Sequence, residues 1–222
     1  MEEFKKSELN EVKRGINRAL YDVDKINAIL DAGFICFVGY NYNGKVISLP
    51  MSYGRIGNKI YLHGSGKNRM LLNLLECKDV SITVMHLDGL VLARSGLHHS
   101  VNYRSATLFG KLVEVENLKE KEAILKCVVD QMINGRWEEL RPITNLELKR
   151  TLVVEMTIET ASAKIRNEGA IDEKRDRHLP IWAGVIPIKQ VSEYPLRDHL
   201  LPEDIKMPDH VLEYYNTHKS NS

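Results

Sequence analysis

The sequence predicts a mainly β domain with helices (α+β), its strands antiparallel and closing into a barrel or sandwich. Three observations carry this. Six or seven β-patterned segments are joined mostly by tight turns, and tight turns cannot connect parallel strands. Asn43-Gly44 lies between two such segments and is the strongest short hairpin signal, because a type I′ turn needs positive φ at both central residues. That many antiparallel strands in a chain of 222 residues lose their exposed edges most easily by closing.

The elements follow in order. Residues 1–20 are charged and weakly periodic, and are expected to form an arm or a short helix. Asp22 caps the first clear helix, Ile26, Ile29 and Leu30 give it a narrow apolar face, and Gly33 stands where a left-handed C-terminal residue is wanted. Phe34 to Tyr40 is an apolar, aromatic-rich strand. Lys45 to Tyr53 returns beside it, with Pro50 marking an edge or a bulge. Gly57-Asn58 turns into a strand over Lys59 to His63, where Ile60 and Leu62 face one way and Tyr61 and His63 the other. A helix then starts near Lys67, capped by Ser65, with Met70, Leu71, Leu74 and Leu75 as its buried stripe.

Strands are expected next at Val80 to His86, Leu90 to Arg94 and Tyr103 to Val115. Asn117 with Glu120 resembles a capping box for a helix over 118–133, and Thr144 with Glu147 caps a shorter one. Thr151 to Glu159 alternates cleanly, with Leu152, Val154, Met156 and Ile158 on one face. Beyond Gly184, Pro187, Pro195, Pro202 and Pro208 mark an extended wrap that ends in a short helix near Asp209 to Thr217. The chain thus divides into an arm (1–20), a barrel domain (21–190) and a C-terminal wrap with its helix (191–222).

Composition removes several function classes. With 31 basic and 30 acidic residues, the near-neutral total gives no electrostatic case for nucleic-acid or acidic-membrane partners. The longest apolar run, Phe34 to Val38, is far short of the ~20 residues that span a bilayer. Met1 to Lys6 is charged and leads into no apolar segment, unlike a signal peptide. The three cysteines form no CxxC pair, which suits a reducing cytoplasm.

The segment Tyr61-Leu-His-Gly-Ser-Gly-Lys-Asn-Arg-Met70 is the most informative for chemistry. A strand ends, a Gly-Ser-Gly turn follows, and Lys67 and Arg69 sit in the first helical turn. Free N–H groups at a helix start bind anions, and basic side chains there make sense when a phosphate lies between them. The pattern is neither a Walker loop nor GxGxxG. An ordinary strand-to-helix turn with solvated charges is the alternative. A metal site at His98-His99 is disfavoured, because consecutive strand residues point to opposite faces. Tyr103, Ser105 and Thr107 share one strand face, a row that suits a ligand wall or a solvent face. Cys36 reads as a small core hydrophobe. The charges from Asp172 to Arg177 read as a solvated loop. Trp182 is a packing anchor or a stacking surface.

A set of short motifs in fixed order then resembles a known family. They are Arg14-Gly15 with Tyr21-Asp22, Tyr61-Leu-His-Gly-Ser65, Asp88 to Arg94, His99 to Ser105 with Phe109-Gly110, Gly135-Arg-Trp137, Ala163-Lys-Ile-Arg166 and Trp182-Ala-Gly-Val185. Together they are similar to the flavin-nucleotide-binding proteins related to pyridoxamine 5′-phosphate oxidase, a group that includes Nim-type nitroimidazole-resistance proteins. The resemblance runs from about residue 12 to 190. It implies an FMN-binding split β-barrel that forms a homodimer with the flavin at the subunit interface, acting on a small molecule or electron acceptor.

It also implies a cofactor site of Tyr61, His63, Gly64, Ser65, Lys67, Asn68, Arg69 and Met70, joined by Ser100, Tyr103, Arg104 and Trp182. In that site Ser65, Lys67 and Arg69 meet the phosphate, Tyr61 or Trp182 flanks the ring, and Arg94 or Arg104 faces the N1–C2=O edge. No catalytic residue is singled out. The Arg-Leu-x-Pro segment of the true oxidase has no counterpart. Leu196-Arg197 is reversed and lacks the proline, which argues against pyridoxamine phosphate as substrate. A flavin or haem carrier or sensor on the same fold is the alternative function.

Overall fold

The computed structural model describes residues 2–220. Its elements are β1 (Ala19–Leu20), α1 (Val23–Asp31), β2 (Ile35–Tyr42), β3 (Lys45–Ser52), β4 (Gly54–Ile56), β5 (Lys59–Ser65), α2 (Arg69–Glu76), β6 (Val80–Leu92), β7 (Ser100–Gly110), β8 (Leu112–Glu114), α3 (Leu118–Met132), α4 (Asn145–Arg150), β9 (Thr151–Thr157), β10 (Thr160–Arg166), β11 (Gly184–Pro187) and α5 (Asp209–His218). Two antiparallel sheets result. One runs β1-β10-β7-β6-β2-β3, with β11 also paired to β6; the other runs β4-β5-β9-β8. No ladder joins them, so the barrel is split. The chain crosses between sheets at Tyr53, through α2 between β5 and β6, at Lys111 and at Ile158-Glu159.

The main core lies between the sheets. Cys36, Val38, Ile82, Val84, Ala106 and Leu108 from the first face Ile60, Leu62, Val154 and Met156 from the second. The buried stripes of α1 (Ile26, Ile29, Leu30) and α2 (Met70, Leu71, Leu74) join this core. Burial pushes the Cys36 thiol up to about 12, so it stays a protonated hydrophobe. A second core sits on the outer face of the smaller sheet, where Tyr61, Val115 and Val153 pack under Ile124, Leu125 and Leu148 of α3 and α4. No helix among the described residues is long and apolar enough to cross a membrane.

Turn and cap chemistry decides the local structure. Asn43 and Gly44 have φ of 51° and 77°, the two positive values a type I′ turn requires. Pro50 lies on β3, the edge of its sheet, where a missing N–H costs no ladder bond. Asp22 accepts from the Lys25 amide, and Asn117 from those of Lys119 and Glu120. Thr144 and Glu147 form a reciprocal capping box at α4, with Arg141 gripping the same carboxylate.

These bonds hold the Glu147 carboxyl down at about 2, the Arg141 guanidinium contributing most. A depressed carboxyl stabilises the fold above its unfolded pKa and loses that contribution as pH falls through the folded one. Denaturant unfolding of wild type and Glu147→Gln should therefore differ at neutral pH. The two curves should converge as pH falls from about 4.5 towards 2. A gap that stays constant over that range would assign the stabilisation to something other than this carboxylate.

Four expectations are corrected. Gly33 is not left-handed. It is small because the His86 ring would stand 2.8 Å from a Cβ there, where His86 Nε2 bonds the Ile29 carbonyl. The two strands expected over Val80 to Arg94 are one strand, β6, interrupted by a bulge at Asp88 between the pairs Leu87–Tyr103 and Gly89–Asn102. Because one residue is inserted there, Leu90 returns to the outer face with Leu87 and Met85, while Val91 is buried. The strand expected over Tyr103 to Val115 breaks at Lys111, where the chain leaves one sheet for the other. The fourth correction is the start of α2, which bears on the site.

Candidate flavin site

The turn after β5 carries the phosphate argument. Asn68, not Ser65, caps α2. Its side-chain oxygen accepts from the Met70 and Leu71 amides at 2.9 and 3.3 Å. The helix therefore begins at Arg69, with Lys67 in the turn before it rather than inside its first turn. The Gly66 amide donates to the Arg150 carbonyl and the Asn68 amide to the Ser65 carbonyl. Most turn amides are thus spent locally, and the anion-binding capacity lies in side chains. Ser65, Lys67 and Arg69 are all exposed, and among the described residues neither cation makes an ion pair. Arg69 lies over the Tyr42 ring at 5.5 Å. Gly64 leaves room for close packing, since a Cβ there would stand 3.0 Å from both Asn68 Nδ2 and Leu71 Cδ1.

Three neighbours of this turn have different roles from one another. His63 is half-buried, its Nδ1 has no partner, and burial lowers its pKa, so it is neutral at neutral pH. Tyr61 is only 5% exposed and its ring is packed in the second core, so it offers no face to a flavin ring. Met70 belongs to the main core. Both are packing residues, against the expectation that their side chains line the cofactor.

The second group of candidates lies at the far end of the larger sheet. Ser100 pairs with Val91 and Tyr103 with Leu87. Arg104 donates two bonds of 2.9 Å to Asp88, which raises its pKa, and Arg94 donates its backbone N–H and guanidinium to Asp172 at 2.8 and 2.7 Å. Both candidate cations for the flavin edge are therefore already neutralised by a carboxylate. Trp182 is 67% exposed, with its indole seated on Gly184.

The two groups are brought to opposite ends of β6. Arg69 meets Tyr42, and Cys77 Sγ meets the Asn41 carbonyl, both beside the Val80 end. Ser100 lies opposite Val91, and Tyr103 and Arg104 lie opposite Leu87 and His86, so the two groups are separated by roughly 20–35 Å of strand at the usual rise per residue.

A network that the sequence did not reveal fixes the segment between β10 and β11. Arg166, only 2% exposed, donates to Asn102 Oδ1 and to the Glu168 and Gly169 carbonyls. Asp172 is buried on Arg94, and its neighbour Glu173 lies 3.7 Å from His98. The apparent solvated charge run is thus stapled to the loop after β6. The Arg94 bonds hold the Asp172 carboxyl below its usual range. Asp172→Asn should release this strap, seen as faster limited proteolysis within residues 167–183. Wild type should hold the strap in mild acid and release it only below the usual carboxylate range, because the Arg94 bonds keep the Asp172 carboxyl ionised until then. Equal cleavage of variant and wild type would show that Arg166 holds the strap alone.

A sequence model of the pyridoxamine 5′-phosphate oxidase family matches residues 22–165. The chain belongs to that family. The matched stretch contains every candidate cofactor residue except Trp182. No curated protein sequence matches the chain.

Among solved structures, the flavocytochrome Anf3 from Azotobacter vinelandii is 36% identical, with a TM-score of 0.89 over 94% of this chain and 97% of its own. An FAD and haem binding protein from Mycobacterium smegmatis is 30% identical, with a TM-score of 0.85 over 89% and 97%. A 5-nitroimidazole antibiotic resistance protein from Bacteroides thetaiotaomicron, at 21% identity, shares the fold with a TM-score of 0.54 over 66% and 86%. Arg197 is spent inside the tail on the carbonyls of Leu201, Pro202 and Ile205.

Proposed function

We propose that this member of the pyridoxamine 5′-phosphate oxidase family is a flavin-dependent oxidoreductase that also carries haem and works as a homodimer. The observation that carries the flavin reading is the pair of exposed cations, Lys67 and Arg69, which have no carboxylate partner among the described residues, at a turn with glycine on both sides of Ser65. That arrangement fits a phosphate dianion, held by charge-assisted bonds from both side chains and the Ser65 hydroxyl. The similarity to an FAD and haem binding protein favours FAD over the FMN that the motif pattern implies. The bound flavin and haem would supply two-electron and one-electron redox chemistry. The chain anchors the phosphate, excludes water and presents a neutral His63 beside the turn.

Two observations support the homodimer. The outer face of the larger sheet is apolar and uncovered, with Phe37, Met85 and Leu87 all at least 39% exposed. The two candidate groups also lie roughly 20–35 Å apart along one chain, a spacing that favours a site shared between two copies. A cytoplasmic setting goes with this reading, since all three cysteines are free thiols.

The test is to purify the protein, record its visible spectrum, and identify the flavin released on denaturation as FMN or FAD. Absence of flavin bands, with no uptake of either flavin at micromolar concentration, would remove the reading. Light scattering should give twice the 25.4 kDa of one chain, and a monomer would remove the interface site.

A further inference from the structure

The far end of the larger sheet carries a feature that the phosphate turn does not explain. Ile186 of β11, Leu90 of β6 and Val101 of β7 stand opposite one another in a single cross-strand row. All three are well exposed. Two residues from Ile186, Gly184 faces the same way, because strand side chains alternate. A Cβ on Gly184 would lie 2.8 Å from two ring carbons of Trp182, so the indole lies on this same face beside the row. The bulge at Asp88 is what turns Leu90 outward. The result is a flat apolar panel with an exposed aromatic ring at one side.

His99 stands at the rim of this panel. It precedes β7 in extended conformation and is two residues from Val101, so it projects from the panel's side of the strand. Its Nδ1 lies 2.9 Å from the Ser95 carbonyl. A carbonyl can only accept, so Nδ1 carries the proton, and Nε2 is left as an exposed lone-pair donor. Metal-binding histidines use this arrangement, with the second ring nitrogen bonded to a carbonyl that fixes tautomer and ring orientation. Leu97, in the same loop, is 88% exposed. Two adjacent strand histidines rarely share one ion, because their side chains point to opposite faces. A porphyrin needs only one, because it supplies four nitrogens itself. Among the described residues no cluster of three or more His, Cys, Asp or Glu side chains is arranged to hold a bare ion.

We propose that the haem lies on the Ile186–Leu90–Val101 panel, its edge against Trp182, with His99 Nε2 as an axial iron ligand. This rests on the haem part of the proposed function and assigns that group its place. The test is a titration of apoprotein with hemin, read by absorption and electron paramagnetic resonance spectra rather than by turnover. His99→Ala should lose the histidine-ligated spectrum and bind hemin at least about tenfold more weakly, and added imidazole should restore the spectrum. Trp182→Ala should weaken binding while leaving the ligation signature intact.

If wild type takes up hemin and His99→Ala keeps the same spectrum, the ligand assignment is overturned and the haem reading stands. If Trp182→Ala binds as wild type does, the panel is the wrong surface. If wild type takes up no hemin, both the haem reading and this assignment fall, while the flavin reading is judged by its own spectrum. His99 and Trp182 are exposed, so neither substitution removes core packing.

Discussion

A Lys67→Ala, Arg69→Ala double variant is expected to bind flavin about 10²–10⁴-fold more weakly than wild type. Each charge-assisted contact to a phosphate contributes roughly 1.5–3 kcal/mol, and two of them sum to about 3–6 kcal/mol. The loss should be large because little else at the turn can take over. The Met70 and Leu71 amides are committed to Asn68, and the Gly66 amide to Arg150. Both side chains are exposed and neither closes a core, so the variant should unfold at the wild-type temperature. The measurement is flavin fluorescence titration at two salt concentrations, since screening should erode the wild-type advantage. Riboflavin, which lacks the phosphate, should bind both proteins equally. Unchanged affinity for the phosphorylated flavin would move the phosphate away from this turn.

The second large effect is on stability. Arg166→Met should cost about 3 kcal/mol, lowering Tm by roughly 6–12 °C for a chain of this length. Arg166 is almost fully buried, and its three hydrogen-bond acceptors are an amide oxygen and two backbone carbonyls. Methionine fills much of the volume but leaves Asn102 Oδ1 and both carbonyls short of a donor. The backbone at Glu168 and Gly169 would then open, and with it the strap that leads to Trp182. Differential scanning calorimetry reads the loss. A Tm within a degree of wild type would mean that the Glu168 amide, which also donates to Asn102 Oδ1, holds the turn by itself.

Features set by short-range chemistry were legible in the sequence. Asn43-Gly44, the Thr144–Glu147 box and the alternation of Leu152 to Ile158 each need only their own neighbours to be read, and each stands as expected. Where two local signals competed, one was misread. Ser65 suits an N-cap by residue type, yet the cap is Asn68, three residues on, with Gly66 drawn away to Arg150. Asp88-Gly89 looks like a turn but sits inside a long strand, where a partner on each side accommodates one extra residue.

The strand over Thr160 to Arg166 was missed because its inward residues, Ala161 and Ala163, are too small to give an apolar signal. For the site, the basic turn was visible because strand, glycines and cations are contiguous. The ties of Arg166 to Asn102 and of Asp172 to Arg94 span 64 and 78 positions, and no local pattern announces them. The ring environments of Tyr61 and Trp182 likewise depend on which distant element covers them.

The extra residue at Asp88 has a consequence for how this protein can vary. Substituting it costs an ion pair with Arg104, a local loss. Deleting it would leave Leu87 opposite Tyr103 and Gly89 opposite Asn102 in an unbroken ladder, so Leu90 would stay outward and Val91 buried. Removing a residue from a regular stretch of the same strand, such as Thr83, would instead invert the parity of everything beyond it. The strand's length is therefore under looser constraint at the bulge than on either side of it.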